Sequence, residues 1–214
     1  MIRFVTPLKL LLLAVLAAAV VAGFVTIPAG ASLPVHWNVA GEPDGFMPRD
    51  WALIMPAGVT LLVWAVFLVV DRFADAEQRE RGAYVADVAL TALTALMAAI
   101  TVMTVLIGTG LASNMVQVIA VGFGLLLLVL GNAMPKSRPN MFAGIRMPST
   151  LRSEANWAAT HRLGGWLTIV GGIVLLVAAF VAPMQVLVWW VIGCVILPML
   201  IASAYSLVLA SRGT

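Results

Sequence analysis

Four side chains that could take part in acid–base or nucleophilic chemistry lie close together in this sequence. Ser149 and Ser153 carry hydroxyls, Glu154 carries a carboxyl group and His161 an imidazole, and these groups supply nucleophiles, acids and bases in hydrolases. The segment has no GxSxG elbow, HExxH pair or glycine-rich phosphate loop. Each group also has a simpler role as a helix cap or a surface residue. We therefore predict that the protein is not an enzyme and binds no nucleotide or redox cofactor.

A second candidate site lies in residues 28–50, PAGASLPVHWNVAGEPDGFMPRD, where His36, Glu42 and Asp44 could bind a metal ion or another ligand. One histidine without HxxH-like spacing is a weak metal signature, so we predict no metal site. The alternative is a structured cap on the rest of the protein. Its four prolines and Trp37 restrict the backbone, which favours an ordered segment.

Both candidate segments interrupt a chain that is 63% hydrophobic and 10% charged over 214 residues, with a mean hydropathy of +1.08. Its apolar residues come in long blocks rather than amphipathic stripes. A bilayer core needs about 20 mostly apolar residues per helix. The sequence therefore predicts an all-α, polytopic membrane protein, a six-helix transmembrane bundle. The predicted spans are residues 8–27, 51–70, 84–107, 115–130, 163–182 and 186–209.

The first apolar block has two interpretations. Basic residues precede a Leu/Ala run that ends in AAAVVAG, and this arrangement also resembles a cleavable signal peptide. We favour a retained helix, because the block is long enough to span. Ala14, Ala18 and Ala22 recur every four residues, which predicts a smooth face for a neighbouring helix.

The distribution of Lys and Arg predicts the orientation, because positively charged loops stay in the cytoplasm. An N-in/C-in topology with six spans leaves only Arg49 outside. This topology also explains the net charge of +3 and the pI of about 9.6 without nucleic acid as a partner. Cys194 is the one cysteine, which excludes an intramolecular disulfide. The predicted cytoplasmic cations are Arg3, Lys9, Arg72, Arg79, Arg81, Lys136, Arg138, Arg146, Arg152, Arg162 and Arg212.

Two spans carry stripes that predict helix packing. The third has Asp87, Thr91, Thr94, Ala98 and Thr101 at steps of four and three, and the fifth repeats Gly164, Gly171 and Ala178 every seven residues. The alternative for the first stripe is a small-solute or ion transporter with a proton or ion relay at Asp87. No inverted repeat supports that alternative.

The second long connection, residues 131–165 (the inner loop), contains the run PNMFAGIRMPSTL. Its prolines forbid one continuous helix, so its first half should be irregular. We expect Thr150 to cap a following helix on which Trp157 and His161 share a face at i, i+4 spacing. Phe142, Met147 and Trp157 should anchor the segment in the headgroup zone.

The pattern GNxMPKxxPNxxxGIRxPxTLxSExxWxxTHRxGG in the inner loop resembles the signature of SdpI-type membrane proteins, which are immunity proteins that protect bacteria from a secreted toxin. The segment LPVHWNVAGEPDG likewise resembles the domain of unknown function that opens many such proteins. The inner-loop pattern is carried by Gly131, Asn132, Met134, Pro135, Lys136, Pro139, Asn140, Gly144, Ile145, Arg146, Pro148, Thr150, Leu151, Trp157, Thr160, His161, Arg162 and Gly165.

The resemblance implies a multi-pass protein of the bacterial cell membrane that gives toxin resistance, with capture of a cytoplasmic repressor as a second role. It divides the chain into a two-span region, 1–83, and a four-span SdpI-like region, 84–214. The toxin would bind on the outer face, beside the turns at Ser113 and Pro183, through His36, Trp37, Asn38, Gly41, Glu42, Asp44 and Gly45. The inner loop would bind the repressor or membrane lipids through Asn132, Pro135, Lys136, Pro139, Asn140, Gly144, Arg146, Pro148, Thr150, Trp157, Thr160, His161 and Arg162.

Overall fold

The structure is a computed structural model that describes residues 2–112, 114–140 and 143–212, so Ser113 and Phe142 lie outside the described residues. Two strands, β1 (Ser32–Trp37) and β2 (Pro43–Pro48), form one antiparallel hairpin. A 3-10 turn, Met134–Lys136, follows the fourth helix. The helices are α1 (Pro7–Thr26), α2 (Arg49–Phe73), α3 (Ala76–Gly108), α4 (Met115–Ala133), α5 (Pro148–Arg152), α6 (Glu154–Val181) and α7 (Met184–Ser211).

The predicted all-α, six-span architecture is confirmed, because six of the described helices are long and apolar enough to cross a membrane. Several helices extend beyond the apolar blocks. The third begins at Ala76 and the fifth at Glu154, so polar turns at both helix starts continue the spans into the predicted cytoplasmic layer. The hairpin is the exception to the helical architecture. The N-in/C-in orientation stays a prediction.

The six spanning helices pack as two groups of three. In the first group α3 packs against α1 and α2, and in the second α6 packs against α4 and α7. The α3–α4 contact joins the two groups. Helices α3 and α6 therefore organise the bundle, one at the centre of each group.

The predicted contact face of α1 is wrong. Ala14, Ala18 and Ala22 are exposed, whereas Leu16 and Gly23 are buried. A Cβ at Gly23 would lie 2.6 Å from a methyl group of Leu53 on α2. The helices thus meet where the glycine allows the closest approach, and the alanines face outward.

The predicted small-residue stripe of α6 does face a neighbouring helix. Gly164 packs against Ala202, and a Cβ at Gly171 would lie 2.8 Å from the carbonyl oxygen of Cys194. Ala178 is also buried, 5% exposed. This stripe sets the close contact between α6 and α7.

A second stripe of α6, which the sequence analysis missed, sets the contact with α4. A Cβ at Gly165 would lie 2.6 Å from the carbonyl oxygen of Gly131, and one at Gly172 would lie 2.8 Å from the carbonyl oxygen of Gly124. These neighbours are backbone atoms, which cannot swing aside as a side chain can. In each of the pairs Gly164–Gly165 and Gly171–Gly172, the first glycine lets α6 approach α7 and the second lets it approach α4.

The polar stripe of α3 also faces other helices, as predicted. Thr94, Ala98 and Thr101 are at most 3% exposed. The hydroxyls of Thr94 and Thr101 donate to backbone carbonyls one turn earlier in α3, and the indole N–H of Trp64 on α2 donates to Thr94 Oγ1 at 2.9 Å. The stripe is therefore an internally hydrogen-bonded packing surface.

A buried ion pair fixes the N-terminal segment to α3. The ammonium of Lys9, 0% exposed, lies 2.6 Å from Asp87 Oδ1 and 2.5 Å from the carbonyl oxygen of Arg3. The backbone N–H of Arg3 also donates to Asp87 Oδ1, at 3.1 Å. A second carboxylate, Asp71, is buried where α2 extends past the predicted span, and its Oδ1 has no hydrogen-bond partner among the described residues.

Candidate functional site

The inner loop is built around a buried aromatic pair on the first two turns of α6. The rings of Trp157 and His161 stack with centroids 4.0 Å apart and planes 15° apart. Both residues share one helix face, as predicted from their spacing, and are at most 1% exposed. Trp157 donates its indole N–H to the backbone carbonyl and the hydroxyl of Ser137, each at 3.1 Å. Trp157 is therefore buried inside the loop, and its predicted place as a headgroup anchor is wrong.

The imidazole of His161 joins the loop to the helix with both of its nitrogens. The backbone N–H of Ile145 donates to Nε2 at 2.9 Å, and Nδ1 lies 2.9 Å from the carbonyl oxygen of Trp157. Because a backbone N–H can only donate, Nε2 accepts and the proton resides on Nδ1. A proton on Nε2 would break the bond to the loop. His161 therefore positions the backbone of the inner loop.

Gly144 allows the loop to cross directly over this histidine. Its φ is +120°, a conformation that side-chain-bearing residues rarely adopt. A Cβ at this position would collide with His161 Nε2 and lie 3.2 Å from the ring of Trp157. Glycine is therefore needed here both for the backbone conformation and for the close approach to the aromatic pair.

We expect Gly144→Ala to detach the loop from His161. The added methyl group strains the backbone by about 1–3 kcal/mol and pushes the loop away from the ring. Hydrogen–deuterium exchange should then be faster at the Ile145 amide, and the six spans should stay inserted. Gly30→Ala is the matched control, because nothing lies within 4 Å of a Cβ there. Unchanged exchange at Ile145 in Gly144→Ala would contradict the assigned contact.

The N-terminus of α6 differs from the expectation. Thr150 lies inside the short helix α5, where its hydroxyl donates to the carbonyl of Ile145 at 2.7 Å and accepts from the N–H of Met147 at 3.0 Å. The cap of α6 is Ser153, whose hydroxyl accepts from the backbone N–H of Asn156 at 3.2 Å. The chain bends between α5 and α6, so Thr150 lies too early to cap α6. Its hydrogen bonds instead hold the end of the loop's irregular first half against α5.

After the 3-10 turn, the described residues of the first half of the inner loop, 137–140 and 143–147, are irregular, as the prolines predict, and Asn140 hydrogen-bonds to residues on both sides of it. Its side-chain amide donates to the carbonyl of Arg138 at 2.7 Å, and its Oδ1 accepts from the N–H of Ala143 at 3.0 Å. Pro139 beside it is buried. The backbone N–H of Arg138 also donates to the carbonyl of Arg81 at 3.4 Å, so the loop contacts the start of α3.

Two buried polar residues that the sequence analysis did not single out, Asn156 and Ser206, join the loop to α7. The side chain of Asn156 donates to the carbonyl of Ser206 at 2.9 Å and accepts from its hydroxyl at 2.8 Å. Asn156 Oδ1 also accepts from Thr160, and the hydroxyls of Ser206 and Ser149 lie 2.7 Å apart. The i, i+4 spacing of Asn156 and Thr160 is a signal that could have revealed this cluster. Ser206 had no local signal, because its partner is 50 residues away.

Other inner-loop residues face outward. Asn132, Pro135, Lys136, Arg146, Pro148, Arg152 and Arg162 are exposed. Two further contacts link the loop and α6 to α3. Lys136 donates to the hydroxyl of Tyr84 at 3.3 Å, with its ammonium 5.2 Å from that ring, and Arg81 lies 3.2 Å from Glu154. The inner loop therefore combines a buried support of aromatic and amide groups with an exposed basic surface.

The predicted outer site is the hairpin. Asn38 shapes its turn, because its Oδ1 accepts from the backbone N–H groups of Ala40 and Glu42 at 2.9 and 3.0 Å. Gly41 has a φ of +80° at the tip. Across the strands, His36 Nδ1 lies 2.5 Å from Asp44 Oδ1, and both side chains are exposed. The segment has a regular structure, as predicted, but its two strands were not predicted.

Gly45 and Trp37 fix the hairpin against its surroundings. A Cβ at Gly45 would lie 2.8 Å from the Cβ of His36. The absence of a side chain at Gly45 therefore lets the two strands lie this close. Trp37 packs against the apolar cluster of α4 and α7 that includes Val116 and Leu187. The hairpin begins in the first helix group and covers the end of the second. It therefore bridges the two groups opposite the inner loop.

The described residues hold no group of three or more His, Cys, Asp or Glu that could bind a metal ion. His36 and Asp44 form a pair with no third ligand of this kind. The prediction that the protein has no metal and no catalytic centre stays a prediction.

Comparisons with known proteins match the two ends of the chain to two families. Residues 136–208 match the SdpI/YfhL protein family, and residues 10–60 match a domain of unknown function, DUF1648. Immunity protein SdpI of Bacillus subtilis (strain 168) is 21% identical over 148 residues, which is 69% of each chain. The two family matches and this relative support an SdpI-type protein with an N-terminal domain of unknown function. No solved structure matches it.

The segments that match the two families coincide with the two candidate sites. The SdpI/YfhL match runs from the 3-10 turn through the described part of the inner loop, α6 and most of α7, and the DUF1648 match contains most of α1, the hairpin and the start of α2. The protein is a multi-pass protein of the bacterial membrane. The division at residues 83 and 84, which lie inside α3, stays a prediction.

Proposed function

We propose that this protein protects the bacterium that makes it from a secreted peptide or protein toxin that acts on the membrane. The observation that carries the proposal is the match to a protein named for immunity, which extends over 69% of both chains. No enzymatic step is part of the proposal. Binding of the toxin, or of the lipid state that the toxin produces, would supply the protection.

The arrangement of the two sites supports a division of roles. The hairpin lies at the end of the bundle opposite the inner loop, and Trp37 packs directly on α4 and α7. The inner loop is joined to α7 through Ser206 and to α6 through His161. A change at the hairpin can therefore reach the inner loop through α7, which contacts both sites.

The inner loop would then report binding to a cytoplasmic partner. Arg152 and Arg162 are exposed beside the buried aromatic pair, and guanidinium groups bind carboxylates and phosphates through paired hydrogen bonds. An acidic surface of a repressor would fit this basic surface. The same residues would contact anionic lipid headgroups when no partner is bound.

The test of immunity is survival of sensitive bacteria that express the protein, measured against a panel of secreted membrane-active toxins. Wild type should raise the lethal dose of at least one toxin. Trp157→Ala should lower this protection several-fold, because a buried Trp→Ala change costs about 3–5 kcal/mol and reduces the population of folded loop. The variant should still insert, since its apolar spans are unchanged.

Trp166→Ala is the matched control, because Trp166 lies on the same helix and its side chain is 65% exposed. It should protect as well as wild type. Absence of protection by wild type across the panel would overturn the proposal. Equal protection by Trp157→Ala and Trp166→Ala would show that immunity does not depend on the folded inner loop.

A further inference from the structure

Three apolar cavities follow one another along α4, and the first and the third are also lined by α3. The first, about 270 Å³, lies beneath the hairpin between α2, α3 and α4, and the second, about 260 Å³, lies between the hairpin, α4 and α7. The third, about 310 Å³, continues along α4 and α7 to the inner loop at Ala143 and Gly144. We name this series of cavities the α3–α4 groove. Its walls are α2 on one side and α7 on the other.

The hairpin forms the roof of the groove. Val35 and Trp37 line both of the cavities beneath it, as does Ile119 of α4. The lining of the first cavity is apolar and includes Met55 of α2, Met97 of α3 and Met115 of α4. The flexible side chains of methionine adapt to different apolar shapes. Met55 and Val59 of the first cavity are exposed, at 43% and 41%, on a helix long and apolar enough to span a membrane, so an occupant can enter there from the lipid side.

The rim of the roof is negatively charged. Residues 28–50 contain three carboxylates and one guanidinium, a formal charge of −2 with His36 neutral. The guanidinium of Arg49 is turned inward, where it donates to the carbonyl of Ile27 at 2.8 Å and lies 5.1 Å from the Phe24 ring. Glu42 and Asp44 are exposed on the same hairpin, and Asp44 contacts His36, which lines the second cavity. The rim therefore attracts positive charge.

We propose that the α3–α4 groove binds one cationic amphipathic peptide helix, with its apolar face on α3 and α4 and its positive end at Glu42 and Asp44. This inference rests on the proposed function, since such a peptide would be the toxin or its membrane-bound part. Phospholipid is a poorer match, because every phospholipid headgroup carries a negatively charged phosphate that the carboxylates of the rim do not attract. The stretch that lines the groove, from Met115 at the start of α4 to Met134 just after it, has the length of a helix of about 20 residues, so an 18-residue helix fits within it.

An occupant of that length would also reach the inner loop. The last cavity is lined by Gly144, which lies directly over His161. Filling this cavity would press on the loop at the point where it has least freedom to move. The groove thus supplies a direct route from an outer ligand to the inner basic surface.

The test uses the full-length protein in phosphatidylcholine nanodiscs and a synthetic 18-residue helix of Leu and Lys with a photoreactive diazirine on its apolar face. Labelled residues are identified by mass spectrometry. We expect labelling to concentrate at Met55, Met97 and Met115. The double change Glu42→Gln and Asp44→Asn should weaken binding by about tenfold, because two attractive rim charges are lost. A Leu/Glu peptide of the same pattern should label at background level.

Filling the groove should block the peptide. Ile100→Trp and Val59→Trp each place an indole among the lining residues, and Val177→Trp on the exposed side of α6 is the matched control. Two filling variants are used so that misfolding of one, detected by size-exclusion chromatography, leaves the other informative. Labelling that is scattered over all lipid-facing helices, or unchanged by both filling variants, would overturn the proposal. So would groove labelling by a diazirine phosphatidylcholine that the Leu/Lys peptide does not displace.

The survival assay separates this inference from immunity itself. Absence of protection by wild type defeats the proposed function, whatever the labelling shows. Protection that the rim and filling variants retain in full defeats only the groove.

Discussion

Asp87→Asn should destabilise the protein by about 3–5 kcal/mol, because it leaves the buried ammonium of Lys9 without a counter-charge. The ammonium is 0% exposed and lies 2.6 Å from Asp87 Oδ1. The asparagine still offers an oxygen to the backbone N–H of Arg3, so the loss is the charge itself. The measurement is the thermal midpoint of the purified protein in detergent, taken as the temperature at which half of its monodisperse size-exclusion peak is lost.

The double variant Lys9→Met with Asp87→Asn is the control. It removes both charges and keeps the oxygen that accepts from Arg3, so most of the lost stability should return. Equal instability of the single and double variants would show that the Asp87 carboxylate has another essential partner. A solute flux in proteoliposomes that Asp87→Asn abolishes without loss of stability would instead support the transporter alternative.

Gly172→Leu should separate α4 from α6 and cost about 3 kcal/mol or more, because overpacking against backbone cannot be relieved by a rotamer change. A Cβ at Gly172 would lie 2.8 Å from the carbonyl oxygen of Gly124 and 3.0 Å from the amide nitrogen of Leu128. The same thermal measurement tests this prediction.

Gly193→Leu on α7 is the matched control for Gly172→Leu. Nothing lies within 4 Å of a Cβ at Gly193. The leucine should leave stability unchanged or raise it by under about 1 kcal/mol through its better helix propensity. Similar midpoints for the two variants would mean that α4 and α6 do not meet at Gly124 and Gly172.

The spans and the shared face of Trp157 and His161 could be predicted because each depends on neighbouring residues. The thickness of the hydrocarbon sets the length of an apolar block, and helical geometry alone places residues four apart on one face. The stripe at Gly164 and Gly171 was predictable for the same reason. The hairpin was harder, since short strands containing proline and glycine have little local signature.

The tertiary structure decided which of several equivalent surfaces meet. Hydropathy could not distinguish the exposed alanines of α1 from its buried face at Gly23, and it could not pair Lys9 with Asp87 or Asn156 with Ser206. The physical reason is that lipid and helix interior are almost equally apolar, so burial gains little from hydrophobicity within the membrane. Shape and hydrogen bonding between distant segments select the contacts, and neither is encoded in any one stretch of sequence.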